Sequence, residues 1–201
     1  MPKIVDHEAR RREIIEAVWK LISSRGFQSV TMRELATAAG YANGALTRYF
    51  PDKDAVLRAA FRRAYDATNE RAAAAIGDRG GLAALRLLCL EIMPLDEERL
   101  REARVVIGFW DHAAGDDHLV EFFAGTMVEW RDQVRTYLRQ ARATGEIPPG
   151  RCDDGAIDTV IDSLLAVLMG LQINALFMPR DTTPERQLRL LDDFLDSLRR
   201  S

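Results

Sequence analysis

Between Glu8 and Ser24 the apolar residues Ile14, Ile15, Ala17, Val18, Leu21 and Ile22 return every three or four positions, opposite Arg10, Arg11, Arg12, Glu13 and Glu16. This spacing predicts an amphipathic helix, ended by Gly26, with Phe27 and Val30 plugging a small core. A short helix is predicted next. Thr31 and Glu34 form a T-x-x-E capping box, in which the hydroxyl accepts from a first-turn amide and the carboxylate reaches back to the cap amide. Leu35, Ala36 and Ala39 give it a narrow apolar stripe, and Gly40 stops it where positive φ costs glycine little. Another short helix starts near Ala42 or Asn43, with Leu46 and Phe50 four apart on one face and Pro51 closing it. Small inner residues let the two helices pack closely, which leaves Asn43, Gly44, Thr47, Arg48 and Tyr49 largely outside.

The rest of the pattern is helical as well. Asp52 caps a helix predicted over 53–75, with Val56, Leu57, Ala60, Phe61, Ala64 and Tyr65 facing inward. After the glycine-rich break at 77–81 a leucine-rich helix runs over 82–93 to Pro94. The next, over 97–113, is polar at first and then dense with Val105, Val106, Ile107, Phe109 and Trp110. Gly115, Asp116 and Asp117 turn and cap a long helix that reaches about 144 and carries Leu119, Phe122, Phe123, Met127, Trp130, Val134, Tyr137 and Leu138. Gly145 and the 148–150 segment end it. Residues 154–178 are apolar on several faces, and after Pro179 and Pro184 a final amphipathic helix runs to about 198. No strand alternation, repeat or low-complexity tract interrupts this. The fold class expected is all-α with about nine helices: a three-helix unit over residues 1–52 and a larger bundle over 53–201.

Helix, glycine-containing turn, short polar-faced helix is the pattern of a DNA-binding helix-turn-helix. Arg25-Gly26-Phe27, Thr31-Met32-Arg33-Glu34-Leu35-Ala36, Ala39-Gly40, Gly44-Ala45-Leu46 and Tyr49-Phe50-Pro51-Asp52-Lys53 follow in the order found in the tetracycline-repressor-like (TetR) family, which the chain resembles at these residues. The resemblance implies a DNA-binding site at Thr31, Arg33, Asn43, Gly44, Ala45, Thr47, Arg48, Tyr49 and Lys53. Two features depart from the family pattern. Ala42 stands where members commonly place a serine cap, and Thr47 and Tyr49 stand where they commonly place a phosphate-contacting tyrosine followed two residues later by histidine. Farther on, Leu95-Asp96-Glu97-Glu98-Arg99, Phe109-Trp110, Gly145-Glu146 and Asp162-Ser163-Leu164-Leu165 resemble the ligand-sensing domain of members related to the choline-responsive repressor of betaine synthesis.

Charge supports a polyanion partner for the first part. The chain carries −3 overall, yet residues 1–65 hold twelve Lys or Arg against seven Asp or Glu, while the remainder holds sixteen against twenty-four. Cations that neutralise phosphates release condensed counterions, so the basic part suits double-stranded DNA. Lys53 adds to this. A cation in a first helical turn opposes the dipole by roughly 0.3–1 kcal/mol, and an outside anion would explain its place. Lys3, in the leading arm, is a further candidate contact or a solvated side chain. Apolar content of 47% predicts a folded protein, and no apolar run approaches the ~20 residues of a membrane span. The first residues lack the apolar core of a signal peptide, and Cys89 and Cys152 make neither a disulfide framework nor a metal cluster, so a cytoplasmic location is expected.

A bundle of this size behind a DNA reader implies a sensor for a small-molecule effector. Phe109, Trp110, Phe122, Phe123, Met127, Trp130 and Met169 are candidates to line its pocket or to serve as plain core, and the two tryptophans suit an apolar or cationic ligand. The last two helices, with Leu164, Leu165, Leu168, Leu171, Leu191, Phe194, Leu195 and Leu198, read as a homodimer interface in a four-helix arrangement. Two recognition helices would then meet the half-sites of a palindromic operator. Two other classes compete with this reading. An enzyme or metal site would have to use Asp111, His112, Asp116, Asp117 and His118, but the histidine spacing matches no recurrent metal geometry, and G-x-S-x-G, H-E-x-x-H, the phosphate loop and C-x-x-C are all missing. A helical scaffold would leave the basic face unused. The expectation is a ligand-responsive repressor with no cofactor, no metal and no catalytic residues.

Overall fold

The computed structural model describes residues 7–149 and 155–200, so Lys3, Cys152 and the predicted helix start at 154 lie outside the described residues. Nine α-helices and no strand occur among them: α1 (His7–Arg25), α2 (Met32–Ala38), α3 (Asn43–Leu46), α4 (Lys53–Ile76), α5 (Gly81–Ile92), α6 (Glu97–Ala113), α7 (Asp117–Ala143), α8 (Ile157–Phe177) and α9 (Pro184–Arg199). Side-chain oxygens supply most of the starts. Asp52 accepts from the amide of Ala55, Asp96 from Arg99 and Asp116 from His118 and Leu119, each satisfying amides that have no carbonyl partner inside their helix.

Two apolar clusters hold the helices together. One joins α1, α2, α3 and the first half of α4 to the C-terminal part of α6 through Ile14, Leu35, Leu46, Phe50, Phe61 and Phe109. The other packs α5, α7, α8 and α9 around Leu85, Leu88, Leu138, Leu164 and Leu195. Helix α4 belongs to both, with Phe61 in the first and Ala72 and Ile76 in the second. Its length makes it the strut between the reading unit and the bundle.

Three expectations change. Helix α3 is one turn long rather than two. Ala42 has no side-chain oxygen to cap it, and the segment 47–50 continues as a turn held by Tyr49 and Phe50 amides donating to the Leu46 carbonyl at 2.9 and 3.0 Å. Helix α8 is long and apolar enough to cross a membrane by length and composition alone, with mean hydropathy 1.8 over its most apolar stretch, of which 33% is buried inside the chain. Asp158, Asp162 and Gln172 interrupt the apolar run, yet the remaining residues keep its average high. Finally, Leu164, Leu168, Leu171, Leu191, Leu195 and Leu198 are buried within one chain, where α5 and α7 cover them, so they are core and unavailable to a partner. Of the eight proposed interface residues only Leu165 and Phe194 keep partial exposure. The outward face of α8 and α9 carries Ile173, Phe177, Met178 and Leu190 instead.

Candidate nucleic-acid interface and effector cavity

The capping box at the start of α2 is complete. The Glu34 amide donates to Thr31 Oγ1 at 3.3 Å, and the Thr31 amide donates to Glu34 Oε2 at 2.9 Å. The Thr31 amide and hydroxyl, both donating to the Glu34 carboxyl, and the Arg25 guanidinium at 3.1 Å hold it below the usual carboxylate range. Gly40, at φ 76, takes the left-handed conformation that lets the chain leave α2 and return across it. Leu35, Ala36, Leu46 and Phe50 are fully inside, which fixes α3 against α2 and decides what α3 shows to solvent.

Gly44, Thr47 and Arg48 are exposed, Ala45 is half-buried, and Asn43 begins the turn. Arg33 is exposed on α2. Thr31 is exposed, but its hydroxyl is committed to Glu34, donating to Oε2 at 2.9 Å. The Thr47 hydroxyl donates back to the Gly44 carbonyl at 3.0 Å, which leaves its lone pairs outward. Tyr49 is half-buried, edge-on to Tyr41 at 5.9 Å and 6.0 Å from the His7 ring, so it supports the turn as well as facing outward. The Lys53 ammonium lies 4.3 Å from the centre of the Phe27 ring, a cation–π contact that partly accounts for a lysine at this helix start.

The five polar residues weighed as a metal or acid–base cluster do not converge. Asp116 caps α7, while His112 turns to α4, with Nε2 2.7 Å from Asp54 Oδ1 and its ring edge-on to Phe27 at 5.0 Å. Among the described residues no group of three or more His, Cys, Asp or Glu could hold a metal ion.

A cavity of about 270 Å³ lies among α4, α6, α7 and α8. Trp110, Phe123, Met127, Trp130 and Met169 line it, whereas Phe109 is fully buried in the adjoining core and does not. Trp130 stacks on Tyr65 at 4.9 Å and donates its Nε1 proton to Asn69 at 2.8 Å. Tyr65, Thr68, Arg99 and Glu102 also line the cavity and were missed from the sequence. Their signal was present as polar residues interrupting inward faces. The buried Glu102 accepts from Arg71 at 2.7 and 2.9 Å, and Arg71 and Arg99 share Glu91 behind it. At the other side Arg131 pairs with Asp162 at 2.5 Å. Aromatic walls with balanced charges at either end give a site that can enclose an apolar or cationic body and still offer it carboxylate oxygens. Burial pushes the Tyr65 hydroxyl up to about 12, so it stays protonated and donates to Glu129 at 2.9 Å.

Known proteins resemble this chain in sequence and fold. Residues 14–60 match the model of bacterial regulatory proteins of the tetR family, and residues 81–200 match that of the C-terminal part of BetI-type transcriptional repressors. The HTH-type transcriptional regulator PksA of Bacillus subtilis is 28% identical over 199 residues, covering 98% of this chain and 94% of its own length. An HTH-type transcriptional repressor of Mycobacterium tuberculosis is 30% identical over 208 residues and covers 100% of both. Among solved structures, a transcriptional regulator from Rhodococcus superposes with a TM-score of 0.80 at 26% identity, covering 94% of this chain and 95% of that one. A candidate transcriptional regulator from Saccharomonospora viridis, solved in complex with choline, superposes at 0.83 with 23% identity, covering 94% and 96%.

Proposed function

Because the chain belongs to the TetR family of bacterial regulatory proteins, with a C-terminal part of the BetI type, we propose that it acts as a homodimeric repressor released from a palindromic operator by a small molecule. The protein is a DNA-binding transcriptional regulator of an all-helical, ligand-responsive class, and that class is not one of enzymes. The finer points rest on the following.

One observation carries the repressor mechanism: α4 serves both sites. Its first residue, Lys53, stands beside the reading turn, and Phe61, Tyr65 and Thr68 on the same helix line the cavity. A ligand that prefers one placement of these side chains must bear on where the reading turn sits, and about 1–3 kcal/mol of such preference is enough to switch occupancy. The reading surface is proposed as Thr31, Arg33, Asn43, Gly44, Ala45, Thr47, Arg48 and Tyr49, with Lys53 against phosphate. The boundary between reader and sensor is proposed at residue 52.

For the effector, a small organic cation is favoured. Trp110, Trp130 and Tyr65 supply ring faces, Glu102 and Asp162 supply carboxylates, and a protein of the same fold has been solved with choline. For the dimer, Ile173, Phe177, Met178 and Leu190 form an apolar outer face on α8 and α9, which also explains the membrane-like composition of α8 without a membrane. The cytoplasm is the proposed location.

The experiment is selection of bound fragments from genomic DNA by the purified protein, with and without choline and related amines. A palindromic consensus lost on adding one of them is the expected result. Fragments without internal symmetry, or binding indifferent to every amine, would refute the dimeric and cationic parts respectively.

A further inference from the structure

A groove of about 810 Å³ runs between α1 and α4 and shares no lining residue with the aromatic cavity. Five guanidinium groups border it, from Arg11, Arg12, Arg58, Arg62 and Arg63, against the carboxylates of Glu16, Asp66 and Glu70. Those opposite charges are already partly engaged. Glu16 accepts from Arg63 at 2.8 and 3.0 Å, and Asp66 lies 3.5 Å from Arg62. Arg12 and Arg58 make no ion pair or hydrogen bond among the described residues, and Arg11 rests over the Phe50 ring at 5.0 Å. Among the described carboxylates that line the groove, Glu70 is the one left to face these three cations. The floor between them is apolar, made by Ile15, Ala55, Ala59 and Phe122.

Like charges gathered on one rim repel, and an anion between them removes that repulsion while making charge-assisted hydrogen bonds to planar forks suited to oxyanions. We infer that this groove binds a small amphiphilic anion, with a phosphate or diphosphate group held by Arg11, Arg12 and Arg58 and a flat or aliphatic body lying on the apolar floor. Duplex DNA fits less well. Its phosphates would meet the rim and leave the floor empty. Since Arg11 stacks on Phe50, the residue that closes the reading segment, an anion here would act on DNA reading from a site other than the aromatic cavity.

The test titrates ADP, and separately inorganic pyrophosphate, into the full-length protein by calorimetry at low salt. Saturable binding of ADP at one per chain is expected, weaker binding of pyrophosphate because it lacks the body, and at least a tenfold loss for both in Arg12→Ala/Arg58→Ala. The control Arg189→Ala removes an exposed charge on α9 and is expected to change neither. Circular dichroism checks that both variants fold. Absence of saturable binding, equal loss in the control, or unchanged binding in the double variant overturns the proposal. So does a double variant that loses only operator affinity, which would assign these arginines to the DNA backbone.

Discussion

His112 Nε2 lies 2.7 Å from Asp54 Oδ1, joining the C-terminal turn of α6 to the first turn of α4. Around this pair Gln28 reaches both Asp111 and His112 at 3.4 Å, and Phe27 sits between His112 and Lys53. Helix α6 also carries Glu102, Val106 and Trp110 into the cavity wall. A displacement of α6 by a ligand therefore arrives at Asp54 through one hydrogen-bonded contact.

If that contact holds the first turn of α4 in place, His112→Ala is expected to speed amide exchange over residues 53–57 and 27–30 by up to about tenfold, which corresponds to ~1.4 kcal/mol of local stability. Exchange in α8 and α9 stays as it was. Asp54→Ala gives the same increase, and the double variant adds nothing further, because both single changes remove one interaction. Additive effects in the double variant would show that the two residues act separately.

On the reading surface the structure separates side chains that the sequence grouped together. Arg48 is exposed, so Arg48→Ala is expected to abolish sequence-specific binding with unchanged thermal unfolding. Tyr49 packs on Tyr41 and His7, so Tyr49→Ala loses stability along with binding, whereas Tyr49→Phe keeps the ring contacts. Lys53→Ala weakens binding to all sequences alike and lowers the salt slope by about one. Filter binding across a salt series, run beside thermal melts, distinguishes the three.

The difference between Arg48 and Tyr49 marks how far the sequence was legible. Helix starts could be read because a cap is a local contact: Thr31 with Glu34, Asp52 and Asp116 all sit where their spacing put them. Helix faces could be read from periodicity. What covers a face could not, because Leu164 and Leu195 look the same whether α5 and α7 or a second chain lies over them. The cavity suffered the same ambiguity. Phe109 and Trp110 are neighbours on α6, yet one fills the core and the other lines the space beside it, and only the rotation of α6 against α4 decides which. Glu102 was overlooked because its partner, Arg71, lies on another helix.

Alkaline pH is expected to destabilise the fold through two buried protons. Burial pushes the Cys89 thiol from its ordinary value near 9 up to about 12, and the Tyr65 hydroxyl from near 10 up to about 12. Both groups are held neutral in the native state, whereas the unfolded chain releases their protons earlier. Stability is therefore full below about pH 9 and falls as pH rises towards 12, by up to ~1.4 kcal/mol per pH unit for each group. Urea unfolding of Cys89→Ala between pH 8 and 11 should show a shallower decline than the parent, with the tyrosine part remaining. In a Cys152→Ser background the native protein is expected to resist iodoacetamide, since the buried thiol ionises only on opening.

The last two helices offer the sharpest contrast between interface and core. Phe177 is 71% exposed and Leu190 45%, while Leu191, the next residue, is 1% exposed beneath α5. A charge at Phe177 or Leu190 meets water in a single chain and meets an apolar surface only if a partner covers that face. Phe177→Asp and Leu190→Asp are therefore expected to shift the protein from dimer to monomer in sedimentation while preserving its helical signal, and to reduce operator affinity because one head alone cannot hold two half-sites. Leu191→Asp places an unpaired charge in the core and is expected to unfold the chain at any concentration. A dimer that survives both exposed substitutions would move the partner surface elsewhere, and α7, which exposes Val120 and Val128, would then be the helix to probe.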